Sequence, residues 1–93
     1  MKAVWRGQVL ASSEQTLNVK GYTYFPRALV RMELLSPSPK TERDFACPHG
    51  VQFCDVAYDG ECSRRAAWSY EAPQPSMQQV DHWIGFWEDV SLE

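Results

Sequence analysis

Val51-Gln52-Phe53-Cys54-Asp55-Val56-Ala57-Tyr58-Asp59-Gly60-Glu61-Cys62-Ser63-Arg64 is the stretch on which the fold turns. Gly50 bounds it on one side. Inside it, Asp59-Gly60 is a pair that tolerates the positive φ of a tight hairpin turn. Val51 to Tyr58 therefore reads as a strand and Glu61 to Arg64 as its return. Ala66-Ala67-Trp68-Ser69-Tyr70 continues the alternation, with Trp68 and Tyr70 on one face, until Pro73 and Pro75 stop it.

Upstream, short strand-like runs are separated by turn residues: Ala3 to Arg6, Val9 to Ala11, Thr16 to Lys20 and Tyr22 to Phe25. Strands this short and evenly spaced predict an antiparallel meander. Leu17 and Val19 share one face of their strand, as Tyr22 and Tyr24 share one face of theirs. Pro26 fixes φ, so Pro26 to Leu29 reads as a turn or a single helical turn. Val30, Met32 and Leu34 alternate with Arg31 and Glu33 and favour a further strand, with two turns of helix over Ala28 to Leu35 as the alternative. Ser36 to Thr41, with two prolines in four residues, reads as a loop.

Downstream, Ser76 and Gln79 have capping-box spacing, and Met77, Val80, Ile84 and Trp87 fall on one helical stripe. These predict one short C-terminal helix packed on the core, weakened late by Gly85, with a last short strand near Val90 to Leu92. The expected fold class is mainly β: antiparallel short-stranded sheets in a single domain over residues 1–93.

Composition narrows the function classes. A chain of 93 residues supports one hydrophobic core, and twelve aromatic side chains supply it with large building blocks. A net charge of −3 offers no general attraction to a phosphate backbone, so nucleic acid is not an expected partner. No apolar run has the length of a signal peptide or a membrane span, which predicts a cytoplasmic protein with no membrane partner. Cys47, Cys54 and Cys62 are odd in number and spaced C-x6-C-x7-C, without the close pair that places two thiolates on one zinc ion. Reduced thiols and no metal or other cofactor are expected.

Fragments in order along the whole chain resemble one bacterial family: Met1-Lys2-Ala3-Val4-Trp5, Tyr24-Phe25-Pro26, Cys47-Pro48 with Gly50, Ala67-Trp68-Ser69-Tyr70, Pro73, and Ile84-Gly85-Phe86-Trp87. The family is catalogued as domain of unknown function 427 and sometimes labelled nucleotidyltransferase-like. The resemblance implies a compact β-tent, similar to the ligand-binding domain of cereblon and to type B methionine sulfoxide reductases but without their zinc-binding cysteine pairs. Where the family usually carries Cys-Pro-aromatic-Lys-Gly, this chain reads Cys47-Pro48-His49-Gly50, so the lysine is missing.

Nucleotidyl transfer would need clustered carboxylates to hold metal ions and an element to cradle a triphosphate. Asp44, Asp55, Asp59, Asp81 and Asp89 are instead scattered singly, and no phosphate-binding loop occurs. Cys47 with His49 forms a candidate nucleophile and base, as type B sulfoxide reduction would use, against the plainer reading of Cys47 as a small buried hydrophobe. Tyr24, Phe25, Trp68 and Tyr70, joined by Cys47 and His49 through the resemblance, are the candidate ligand-binding residues. Aromatic walls would suit a small, flat or cationic ligand, though the same rings could simply fill the core. Arg64-Arg65 reads as a solvated pair, and His82 carries no role. Trp83, Phe86 and Trp87 cannot all face the core from one helix, and a leftover exposed ring would mark a homodimer or partner surface. The expected function is a small-molecule-binding β-tent domain with an aromatic pocket. A thiol-dependent enzyme using Cys47 with His49 and a homodimeric interaction module are the alternatives.

Overall fold

The hairpin supplies the two longest strands. In the computed structural model, which describes residues 1–93, β6 spans Val51–Tyr58 and β7 spans Glu61–Tyr70. The turn between them places Asp59 at φ 53° and Gly60 at φ 78°, the left-handed conformations for which that pair was read. Pairing runs from Val51↔Tyr70 to Cys54↔Ala67 and resumes at Val56↔Ser63. Between these registers lies a bulge in which Arg65 takes φ 56° and its N–H donates to the Asp55 carboxylate at 2.9 Å. The bulge re-aims the Arg65 side chain toward Asp44.

Around this hairpin a six-stranded antiparallel sheet assembles in the order β3-β4-β8-β7-β6-β5, where β3 is Leu17–Val19, β4 Tyr22–Phe25, β5 Leu35–Pro37 and β8 Ile84–Phe86. A second sheet of three strands, β2-β1-β9, contains β1 Lys2–Trp5, β2 Gln8–Ser12 and β9 Ser91–Leu92. The main core gathers Ala3, Trp5 and Leu10 from the small sheet with Phe25, Val56, Ala67, Ile84 and Phe86 from the large one. A second cluster of Tyr24, Val51, Trp68, Met77 and Val80 forms separately. Along β4 the neighbours Tyr24 and Phe25 divide between the two clusters, as period-two alternation requires of a strand covered on both faces. Both are fully buried. No helix is long and apolar enough to cross a membrane.

Three expectations are corrected. Val30 to Leu34 does not form a strand. Arg27–Leu29 and Met32–Leu34 are single 3-10 turns, and the strand comes later, as β5. Pro37 is tolerated there because β5 lies at the sheet's outer edge, where a missing N–H breaks no interior ladder. The one α-helix, α1, is mid-chain at Glu42–Ala46, where Thr41 and Asp44 form a reciprocal capping box.

The expected C-terminal helix is instead a 3-10 run over Pro75–Val80, capped by no side chain. It cannot continue, because His82 turns to φ 64° and Ile84–Phe86 is taken up as a central strand, pairing Tyr24↔Gly85 on one side and Trp68↔Gly85 on the other. Ladder bonds to two neighbours outweigh a helical stripe that has glycine near its end. Met77, Val80 and Ile84 are buried as the stripe implied, yet Ile84 joins the main core and the other two the second cluster. Trp87 remains 37% exposed.

Candidate functional site

Alternation along β6 and β7 sends Val51 and Phe53, with Trp68 and Tyr70, to the side of the large sheet that carries the second cluster. Tyr22 reaches the same side from β4. Trp87, just past β8, is held by a backbone bond from its N–H to the Ala66 carbonyl and by its indole N–H donating to the Arg65 carbonyl. These side chains enclose an open cleft of about 130 Å³ lined by Tyr22, Val51, Phe53, Trp68, Tyr70 and Trp87. Trp68 is its hub. Tyr22 and Tyr24 meet it edge-on at 5.3 and 5.7 Å, and Trp87 does so at 5.7 Å. Phe53 stacks on Trp87 at 5.9 Å with the rings 30° apart.

Gly85 makes this arrangement possible. A Cβ built there would lie 2.6 to 2.9 Å from three atoms of the Trp68 six-membered ring, so only glycine lets the indole lie flat across β8.

Val51, Phe53, Tyr70 and Trp87 also line a wider, adjoining cleft of about 340 Å³. Its remaining wall comes from α1 and its approach (Thr41, Arg43, Asp44 and Cys47) and from Arg65 on the bulge. Arg65 grips Asp44 with both terminal nitrogens, Nη1 to Oδ2 at 3.1 Å and Nη2 to Oδ1 at 2.8 Å, and lays its guanidinium over Phe53 at 4.1 Å from the ring centre. The Arg65 guanidinium holds the Asp44 carboxyl below its ordinary range despite burial, and Asp44 in turn raises Arg65. The adjacent residues Arg64 and Arg65, expected as a solvated pair, part company. Arg64 is exposed, while Arg65 cements α1 to the hairpin.

Beneath the cleft, Tyr24 is buried, and burial pushes its phenol up from 10.0 to about 12, with the neighbouring Tyr70 adding to the rise. Trp68 Nε1 is buried and closes no hydrogen bond of its own. Because the folded-state value lies above the unfolded one, the neutral phenol contributes stability that is complete below pH 10 and is lost as pH rises through about 12. Tyrosinate absorbance followed with pH is accordingly expected to show a last step near pH 12, coincident with loss of structure and missing from Tyr24→Phe. A Tyr24 step near the ordinary 10.0 would contradict the burial argument.

The candidate residues do not all converge. Trp68 and Tyr70 line the cleft, and Tyr24 lies under it. Cys47, half-buried, is in the wall of the wider cleft. Phe25 belongs to the main core, packed edge-on against Phe86 at 5.8 Å, and does not reach the cleft. His49 lies against Tyr70 at 5.2 Å, and its Nδ1 accepts from the Gln74 N–H at 2.9 Å. No hydrogen bond joins it to Cys47. All three cysteines are free thiols, and burial raises Cys54 above its ordinary value. The residues added by the structure are Tyr22, Val51, Phe53 and Trp87 in the aromatic wall, and Asp44 and Arg65 beside it. Strand alternation opposite Trp68 and Tyr70 signalled Val51 and Phe53. Nothing in the sequence places Trp87, whose spacing from Met77, Val80 and Ile84 fits a helix instead.

A second polar cluster lies apart from the cleft lining. Arg27 joins Glu71 at 2.8 Å and donates to the His82 carbonyl, Ser69 donates to the same carboxylate, and His82 sits 2.6 Å from Asp81. It ties the end of β7 to the segment before β8.

No curated protein matches the chain. The family described as Domain of unknown function (DUF427) matches it over residues 1–93, and the chain belongs to that family.

Proposed function

We propose that this protein is a cytoplasmic small-molecule-binding domain of the β-tent kind, taking a flat ligand ring into the cleft between Trp68, Phe53 and Trp87. The observation that carries this reading is that five aromatic side chains converge on one opening that their own packing leaves unfilled. Rings this large ordinarily interlock, so an open space among them favours an occupant of the same shape. Free thiols agree with a reducing compartment. The thiol-enzyme alternative keeps Cys47 within reach of the wider cleft but draws no support from His49, whose Nδ1 is engaged by Gln74. Exposed Tyr22, Phe45 and Trp87 keep the dimer alternative open to a direct check of mass in solution.

The test is a panel of small heteroaromatic fragments, followed by indole fluorescence and by thermal melting. Saturable quenching with a rise in melting temperature, both lost in Trp87→Ala, is the expected result. A panel that leaves emission and melting unchanged at millimolar concentrations would remove the reading.

A further inference from the structure

Resting on the reading of the aromatic cleft as a ligand site, we infer that its ligand is a planar aromatic acid: the ring enters the slot and an anionic substituent projects to Arg43 and Arg65 in the adjoining cleft. The two openings share Val51, Phe53, Tyr70 and Trp87, so they form one continuous groove with an aromatic end and a polar end. Phe53 joins them physically, because its ring both stacks with Trp87 and carries the Arg65 guanidinium.

The charge at the polar end selects the sign of the ligand. Asp44 is the one carboxylate among the lining residues, and it is already occupied: Oδ2 accepts from the Thr41 N–H and from Arg65, and Oδ1 from Arg65 again. An incoming cation would therefore meet a carboxylate already neutralised, next to two guanidinium groups. An anion meets open donors. Arg65 has five N–H groups and its side chain uses only two hydrogen bonds, both to Asp44. Arg43 is exposed and makes no ion pair. The Thr41 hydroxyl accepts from the Asp44 N–H and keeps its own proton to donate. Outside the lining, the Lys40 ammonium, which donates to the Val51 carbonyl, offsets the Asp55 carboxylate that bonds the Arg65 backbone N–H. With Arg43 and Arg65 against Asp44, the lining of the wider cleft is cationic by one charge on a protein whose net charge is −3. A locally reversed charge on an acidic molecule concentrates anions at that point.

The experiment compares benzoate, benzamide and benzamidine, three probes of nearly the same shape with charges −1, 0 and +1. Each is titrated into the protein at low ionic strength while the indole N–H resonances of Trp68 and Trp87 are followed by NMR. Benzoate is expected to bind roughly fivefold tighter than benzamide, with benzamidine weakest, and the preference should shrink as salt is added. Arg43→Gln, at an exposed unpaired position, should melt like the parent and bring benzoate down to the level of benzamide. If the three probes bind alike, or benzamidine binds best, the anionic assignment is overturned while the cleft reading stands. A benzoate preference that survives Arg43→Gln overturns the part given to Arg43. If none of the probes moves the cleft indoles at tens of millimolar, the cleft reading fails and takes this inference with it.

Discussion

Arg65→Ala is expected to destabilise the protein by about 3 kcal/mol, because it leaves the Asp44 carboxylate buried without its counter-ion. The Asp44 side chain is 3% exposed while that of Arg65 is 31% exposed, so water can reach the guanidinium but cannot replace it at the carboxylate. The substitution also uncovers Phe53, which loses the cation lying on its face. The backbone of Arg65 continues to bond Asp55 and Trp87, so the bulge itself should persist. Urea unfolding measures the loss, with an unchanged slope showing that the folded state stays compact. A loss well under 1 kcal/mol would class the pair with exposed surface bridges instead. The pH dependence offers a second check. The Asp44 carboxyl is lowered in the fold, so its contribution is present above its ordinary 3.8 and disappears as pH falls through the depressed value. Without Arg65 that contribution is removed, and the acid limb of the stability profile should flatten.

Gly85→Ala is the second large effect, and it bears on the site more than on the fold. The added methyl would meet the Trp68 ring at under 3 Å, and with Tyr22, Tyr24 and Trp87 packed edge-on against it the ring can give way only toward the open cleft. Overpacking of this kind costs roughly 1–3 kcal/mol, somewhat offset by alanine's lower chain entropy when unfolded. The larger consequence is displacement of Trp68, the hub of the cleft. Near-ultraviolet circular dichroism, which reports the fixed environment of tryptophan rings, should change markedly while the far-ultraviolet signal of the sheets holds. Unchanged tryptophan bands in Gly85→Ala would mean that the indole does not lie against β8 as described.

The residues that were legible in sequence are those whose conformation is decided locally. Asp59-Gly60 between two alternating runs specifies a hairpin on turn chemistry alone, and the pairing of β6 with β7 follows. What could not be read depends on long-range partners. Ile84 and Trp87 continue the helical stripe of Met77 and Val80 until β4 and β7 claim the backbone of Ile84–Phe86 from both sides, across the Tyr24↔Gly85 and Trp68↔Gly85 registers. Gly85 looked like a weak point of a helix and is instead the seat of Trp68. The site was legible by half for the same reason. Trp68 and Tyr70 share a face by alternation, and so were grouped correctly. Phe25, next to Tyr24 in a strand covered on both sides, fell into the main core by parity. Trp87 and the Asp44–Arg65 pair come together only once the bulge has turned Arg65 toward α1.

The placement of Pro37 on β5 has a consequence for behaviour at high protein concentration. A sheet with open borders invites strands from other molecules to extend it, the route by which many β proteins precipitate or form fibrils. Here one border ends in a residue with no donor to offer, and the opposite one, β3, is only three residues long and is closed by Lys20 at φ 54°. Extension of the large sheet by another molecule is therefore disfavoured at both of its borders, which leaves its faces and the small β2-β1-β9 sheet for any specific assembly.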